Sequence, residues 1–250
     1  MRRKRGFTHL EVGVSLGVLV MMAAVLLPSL QVARLKAQQT TSRNNLKNLA
    51  LGVLNYHDVF LRMPPGGWVF NGKERYGWPT SLLPFADNAR VFNLIDHHLN
   101  WQHPDNQPHA RIAIPQYLIP ELSPVATKEG YALTHYAANA SLMHRNSSLK
   151  LSQIKNGTAN TVLMGETGSE FRPWGGSWNW RPVQAPLGGA ETFGSQNSPE
   201  TLFVLVDGKV KGISKDVDPA VLQKLANSGY TPKDEDLVRP PIPASYPSEK

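Results

Sequence analysis

The chain contains no cysteine, and this absence excludes several classes of protein. None of its 250 residues is a cysteine, which excludes disulfide bonds, thiolate metal sites, iron–sulfur clusters and cysteine nucleophiles. Charged residues are also sparse, at 18 %, against 41 % hydrophobic residues. This composition is too apolar for a disordered chain and too ordinary for a protein with many membrane spans.

The net charge of +7 is concentrated at the N-terminus. Residues 2–5 read Arg-Arg-Lys-Arg and hold four of the 26 basic residues, which leaves 22 basic against 19 acidic residues elsewhere. Because the excess lies beside an apolar run and not along the chain, we expect no nucleic-acid partner.

An uncharged run covers residues 12–27. Counted from Phe7 it has about 21 residues, enough for a helix to cross a bilayer core of about 30 Å. The basic cluster predicts a cytoplasmic N-terminus, with everything after Pro28 outside the cytoplasm. A secretory signal peptide and a plain signal anchor are the alternatives. The residues after Pro28 offer only weak candidates for a small-residue cleavage site.

The helical pattern continues beyond Pro28 without glycine until Gly52. We predict one helix from Phe7 to about Asp58, roughly 50 residues long, which Pro28 kinks without ending. Its second half carries apolar residues at helical spacing, which predicts one face buried against a globular head. These residues are Leu46, Leu49, Ala50, Val53, Leu54 and Phe60.

Beyond residue 62 short apolar runs alternate with turn signals, which is typical of a sheet-rich head. Hairpins are predicted at 68–73 and 203–211, around Asn-Gly and Asp-Gly turns. A strand is predicted at 161–166, and short helices at 79–83, 88–95 and 219–225. The last residues, 231–250, are rich in proline and charge, which predicts a disordered tail.

Residues 4–11 read Lys-Arg-Gly-Phe-Thr-His-Leu-Glu and resemble the prepilin signal. The resemblance implies cleavage between Gly6 and Phe7 by a prepilin peptidase and N-methylation of Phe7. His9 stands where the usual pattern has an aliphatic residue. A carboxylate at Glu11, at the edge of an apolar span, is costly. The free amine that cleavage creates at Phe7 would neutralise the charge of Glu11. The alternative is that the Glu11 side chain extends to the lipid headgroups.

Several motifs in order resemble a large prepilin-like bacterial family built on domain of unknown function 1559. They are NNLKNL at 44–49, NYHD at 55–58, PPGG at 64–67, the W…LLPF segment at 78–85, YAAN at 136–139, GTANTVLMGE at 157–166 and DGKV at 207–210. The resemblance implies a pilin-like α+β fold, in which a long N-terminal helix packs on an antiparallel sheet.

The chain departs from this family pattern at three places. The family often carries a cysteine before the NNLK block and another in a CPSD segment, where this chain has Ser42 and Ile119-Pro120. The absence of both is consistent with the loss of a pair that would have formed a disulfide. The family's His-Pro-Gly-Gly segment is replaced by residues 196–200, Gln-Asn-Ser-Pro-Glu.

Three further groups of residues are candidates for metal binding, ligand binding or catalysis. Histidine and aspartate residues cluster at 96–109, but their spacing fits no metal-ligand pattern, so a solvated loop is expected. Trp174, Trp178 and Trp180 alternate as on one face of a strand, which favours sheet packing or an interface over ligand binding. His57 and Asp58 lie at the predicted helix end, where a structural cap is a better interpretation than a catalytic pair.

The sequence therefore predicts a pilin-like α+β protein in four parts. These are a leader at 1–6, a transmembrane and stalk helix at 7–60, a head at 61–230 and the tail. We expect a non-enzymatic inner-membrane subunit of a pilus, pseudopilus or type II secretion-like assembly, without metal or cofactor. Its partners would be the prepilin peptidase, membrane lipid and other pilin-like subunits or secretion machinery. The alternative is a single-pass anchored binding module that does not polymerise.

Overall fold

The computed structural model describes residues 9–70 and 72–229. The leader, the cleavage position, Asn71 of the first predicted hairpin and the predicted tail therefore lie outside the described residues. The chain divides into two units, Met1–Thr40 and Thr41–Lys250. The fold is mixed α+β with a long N-terminal helix, as predicted.

The first element is the 52-residue helix α1, His9–Phe60. Pro28 lies within α1 and does not end it, as predicted. Leu46, Leu49, Ala50 and Val53 are fully buried in the main core. The predicted apolar face of the second half is thereby confirmed, with Leu54 and Phe60 half-buried.

The remaining elements follow in chain order. The strands are β1 Gly67–Phe70, β2 Lys73–Gly77, β3 Leu133–Thr134, β4 Tyr136–Asn139, β5 Val162–Glu166, β6 Arg172–Pro173, β7 Trp180–Arg181, β8 Glu200–Leu205 and β9 Val210–Ser214. The helices are α2 Trp78–Leu82, α3 Ala89–Leu94, α4 Gln107–Ala110 and α5 Pro219–Ala226. Short 3-10 turns lie at Leu83–Phe85, Pro115–Tyr117, Leu151–Gln153 and Thr158–Asn160.

The central sheet has five strands in the order β7-β4-β5-β8-β9. Its pairs are antiparallel except β4 with β7, which is parallel. The β8–β9 hairpin turns at Asp207-Gly208, where Gly208 adopts φ +84°, a conformation that favours glycine. This hairpin, the β5 strand and helix α5 confirm the corresponding predictions.

The Pro-Pro-Gly-Gly segment after α1 crosses two other segments at very short range. A Cβ on Gly66 would lie 2.1 Å from the Met143 carbonyl oxygen, and one on Gly67 would lie 1.7 Å from that of Ser177. Real Cβ atoms do not approach oxygen so closely, so only glycine lets the backbones meet here. The motif therefore joins the end of α1 to the rest of the head.

Candidate functional site

The residues of the predicted processing signal are only partly described. Gly6 and Phe7 lie outside the described residues. Glu11 lies in α1, but its side chain is not described. Cleavage after Gly6, methylation of Phe7 and the pairing of Glu11 therefore stay predictions.

The N-terminal unit presents many exposed apolar side chains. Leu16, Val18, Val20, Met21, Met22, Leu26, Leu27, Leu30, Val32 and Leu35 are between 42 and 73 % exposed. Among the described residues, no helix combines the length and apolarity needed to cross a membrane.

A buried polar network fastens α1 to the central sheet within the second unit, and we call it the neck network. It consists of Ser42, Asn45, Tyr136 and Glu166. Ser42 is the first buried residue among the described side chains of α1, and its Oγ donates to Glu166 Oε1 at 2.5 Å. Glu166 Oε2 accepts the Leu202 backbone N–H at 3.1 Å. One side chain therefore holds α1, β5 and β8 together.

The hydrogen bonds of the neck network run in one direction. While the Glu166 carboxyl is ionised, Ser42 gives its only hydroxyl hydrogen to it, and the Tyr136 hydroxyl is then the donor in its 3.0 Å contact with Ser42 Oγ. Asn45 Nδ2 lies 3.5 Å from Tyr136 Oη and 3.0 Å from the Leu118 carbonyl oxygen. The network is therefore satisfied by protein groups alone.

The Glu166 carboxyl is buried, with 4 % of the residue exposed. Burial raises its pKa above the ordinary value, while the bonds from Ser42 and Leu202 and the charge of Arg43 act in the opposite direction. Burial also raises the pKa of the Tyr136 hydroxyl, which keeps it a neutral phenol. The carboxyl therefore retains its proton to a higher pH than an exposed glutamate would.

Sequence reasoning missed this network, although its members stand in or beside the quoted motifs. Asn45 belongs to the NNLK block, Tyr136 begins YAAN, and Glu166 ends GTANTVLMGE. A glutamate that closes an otherwise apolar strand was the available signal, because a buried carboxylate requires partners. The place of the family's first cysteine is taken by Ser42, which binds Glu166.

The histidine-rich loop at 96–109 is solvated in part, as expected: Asp96, His98 and Asp105 are exposed, whereas Trp101 and Asn106 are buried. His97 is half-buried between the rings of Tyr76 and Phe92, at centroid distances of 5.2 and 4.1 Å. Burial lowers its pKa, and its Nε2 donates to the Phe92 carbonyl oxygen at 3.1 Å. No group of three potential metal ligands occurs in the described part of the chain.

The three tryptophans do not share the face of one strand, contrary to the pattern read from their alternation. Only Trp180 lies in a strand, because Gly175 and Gly176 place a turn between Trp174 and Trp178. Trp174 is fully buried and donates to the Ile112 carbonyl oxygen. The ring centroids of Trp178 and of Trp101 in the histidine-rich loop are 6.0 Å apart, so the structure brings the two candidate regions together.

His57 binds a neighbouring loop and not the carbonyl groups of its own helix. Its Nε2 accepts the Leu151 backbone N–H at 3.4 Å, which identifies Nε2 as the unprotonated ring nitrogen. Asp58 lies 3.9 Å from Nδ1 and is exposed. His57 thus links the end of α1 to the head, which is a structural role of a different kind from the helix cap that we expected.

Comparisons with known proteins match part of the chain to one family. No curated protein and no solved structure matches it. Residues 31–141 match the family model described as a protein of unknown function (DUF1559). The NNLK, NYHD, Pro-Pro-Gly-Gly and YAAN motifs lie inside that range, whereas the prepilin-like signal at 4–11 precedes it. The match therefore supports the DUF1559 family for residues 31–141.

Proposed function

We propose that this chain is a prepilin-like structural subunit of a pilus, a pseudopilus or a secretion-type assembly. In this proposal the leader is removed after Gly6, Phe7 becomes the methylated N-terminus, and the first half of α1 is held in the inner membrane. The head lies outside the cytoplasm. The role is one of assembly, with prepilin peptidase, lipid and other pilin-like subunits as partners.

The observation that carries this proposal is the contrast along α1. Residues 16–35 present at least ten exposed apolar side chains, whereas from Leu46 onward the same helix contributes fully buried residues to the core. Complete burial of one such side chain is worth about 1.5–3 kcal/mol. A surface of this kind is stable when lipid tails or the helices of neighbouring subunits cover it.

The sequence around Glu11 favours neighbouring subunits as part of that cover. Leaving a carboxylate unpaired in an apolar helix bundle costs several kcal/mol. The amine that cleavage creates at Phe7 would neutralise Glu11 of another subunit and fix the register between helices. Assembly would then depend on processing, as a filament subunit requires.

The neck network supports the same role for the second half of α1. A subunit held by its helix transmits any pull on that helix to its head. Ser42 and Asn45 bind β5, β4 and the segment at Leu118 where α1 first becomes buried. Buried hydrogen bonds at this point resist sliding of the helix along the sheet, because sliding would leave Glu166 unsatisfied.

Mass spectrometry of the mature protein tests the processing step. The expected N-terminus is Phe7 carrying one methyl group, and Gly6→Ala should block cleavage because the peptidase must fit a residue without a side chain. The matched control is Gly17→Ala, which changes a helical glycine with nothing within 4 Å of its added Cβ. An intact Met1, or cleavage after Pro28, would contradict the proposal.

A second candidate is an anchored binding module that never polymerises. A shallow groove on the head favours it: a space of about 710 Å³ between residues 183–186, 215–217 and helix α5, a size typical of ligand sites. The two candidates differ in whether the apolar helix contacts other subunits. Electron microscopy of sheared surface fractions with an antibody to the head distinguishes them, since only the first predicts labelled filaments.

A further inference from the structure

A small, partly open cavity lies where the histidine-rich loop packs on the tryptophan segment. Its lining includes four polar side chains, those of Tyr76, Thr80, Trp101 and Asn106. The other lining residues are apolar or glycine, and none of the lining side chains carries a charge. The cavity leaves about 10 Å³ for the centre of a water-sized molecule.

Two of these polar groups make no hydrogen bond to any described residue. They are Thr80 Oγ1 and Trp101 Nε1, on residues that are 1 and 5 % exposed. Burial of an unpaired hydroxyl or indole N–H costs about 1–3 kcal/mol. Because both residues line this cavity, one small molecule inside it would give both groups a partner.

Trp180 Nε1 is likewise buried without a partner among the described residues, whereas other aromatic groups near the cavity are paired. Trp78 Nε1 donates to the Asn179 carbonyl oxygen, and Trp174 Nε1 donates to that of Ile112. Tyr117 donates its hydroxyl hydrogen to the Pro79 carbonyl oxygen at 2.5 Å. Trp101 differs from these neighbours although its ring is as firmly placed.

The Trp101 ring is fixed by several contacts. Its backbone N–H donates to the Arg75 carbonyl oxygen at 3.0 Å, and its ring meets Tyr131 edge-on at 5.0 Å. A Cβ on Gly175 would lie 3.2 Å from the ring, so the glycine lets Trp101 rest against the backbone. The indole N–H therefore has little freedom to find another partner.

We propose that this cavity is a binding site for one water molecule, which accepts the Trp101 Nε1–H and hydrogen-bonds to Thr80 Oγ1. The available space suits one water and no larger ligand, and the site offers the two to four polar partners that a buried water requires. Asn106 and Tyr76 contribute the other polar side chains of the lining. An ion is excluded by the neutral lining.

This water would join the histidine-rich loop to α2, two segments separated by about 20 positions. Asn106 already organises the loop by binding the backbone of Asp96 and Asn100. The water would add a bond from Trp101, a buried residue of the loop, to Thr80 of α2. The packing of the loop against α2 would then depend in part on this bound water.

Magnetisation transfer from water to the tryptophan side chains tests this proposal. In the full chain with ¹⁵N-labelled indoles in detergent micelles, Trp101 Nε1–H should show a cross-peak with the sign of a long-lived water. Trp78 is the matched control and should show none, because its N–H donates directly to protein. The intensity of this cross-peak should stay the same when the pH is changed by one unit. Magnetisation relayed by a hydroxyl group that exchanges its hydrogen with solvent would instead change with pH.

Two variants complete the test. Thr80→Val replaces the hydroxyl with a methyl group of similar size and should weaken the Trp101 cross-peak at least twofold, whereas Thr80→Ser should retain it. Trp101→Phe removes the indole N–H, so the cross-peak that disappears in this variant belongs to Trp101. Absence of the cross-peak in the wild-type protein, or its full persistence in Thr80→Val, would overturn the proposal, and the first result needs no variant to fold.

Discussion

The two units of this chain use apolar residues in opposite ways. In residues 9–40 the leucine, valine and methionine side chains that the structure describes are exposed, and the glycines at 13 and 17 have nothing within 4 Å of an added Cβ. In the second unit most leucine, valine and methionine side chains are buried, and Gly66 and Gly67 meet other backbones at a distance that no side chain tolerates. The head therefore covers its apolar residues through its own contacts, whereas the N-terminal unit leaves exposed the apolar surface that the proposed function assigns to lipid and neighbouring subunits.

The largest expected effect comes from a pair of glycine substitutions that separates the two units. Gly67→Ala places a Cβ 1.7 Å from the Ser177 carbonyl oxygen and should destabilise the head by about 3 kcal/mol or more, because backbone must move. Gly17→Ala meets no atom and improves helix propensity by about 1 kcal/mol. Tryptophan fluorescence during thermal unfolding measures this selectively, since all six tryptophans lie between residues 68 and 180.

A leucine pair makes the same comparison for packing. Leu49 is fully buried, and Leu49→Ala should cost about 2–5 kcal/mol of head stability. Leu26 is 58 % exposed, and Leu26→Ala should change head stability by less than about 0.5 kcal/mol. Urea unfolding in detergent gives both values, and equal losses for the two variants would mean that the N-terminal unit shares the stability of the head.

A smaller effect is expected from pH, through Glu166. Its folded-state pKa is raised above the ordinary value of 4.5, so the protonated carboxyl is the form that the fold favours. The stabilisation that Glu166 contributes through this shift is therefore complete below pH 4.5. It is lost as the pH rises through the folded-state pKa of Glu166. Each unit of upward shift is worth about 1.4 kcal/mol.

Glu166→Gln is the variant that isolates this effect. A carboxamide resembles the protonated acid, so the fall in stability with rising pH should disappear, at a cost of about 1 kcal/mol for a less favourable hydrogen-bond direction at Ser42. Unfolding midpoints measured across the pH range check the prediction. The same slope in wild type and variant would show that another group titrates.

The features that the sequence predicted well are those with a local pattern. The buried face of α1 repeats every three to four residues, and the β8–β9 hairpin carries Asp-Gly at its turn. Both patterns lie within a short segment and need no knowledge of distant partners. The long helix and the α+β class followed from them.

The neck network and the cavity depend instead on residues far apart in the chain. Ser42 and Glu166 are 124 positions apart, and nothing in either segment names the other. The prediction that the three tryptophans share one face of a strand was wrong for the same reason. Two glycines place a turn in the segment, so no continuous strand forms there. The spacing of residues in the sequence shows only their periodicity. It does not show the turn between Trp174 and Trp178, which depends on the residues that pack against Gly175.

The measurement that tests the central claim most directly is crosslinking between N-terminal helices in the membrane. Val18 is 51 % exposed, and Val18→Cys introduces the only thiol of the chain. The account predicts disulfide-linked dimers in otherwise wild-type protein and their loss in Glu11→Val, with insertion retained because a charge is removed from the apolar run. Equal crosslinking with and without Glu11 would contradict the account and favour an anchor that does not assemble.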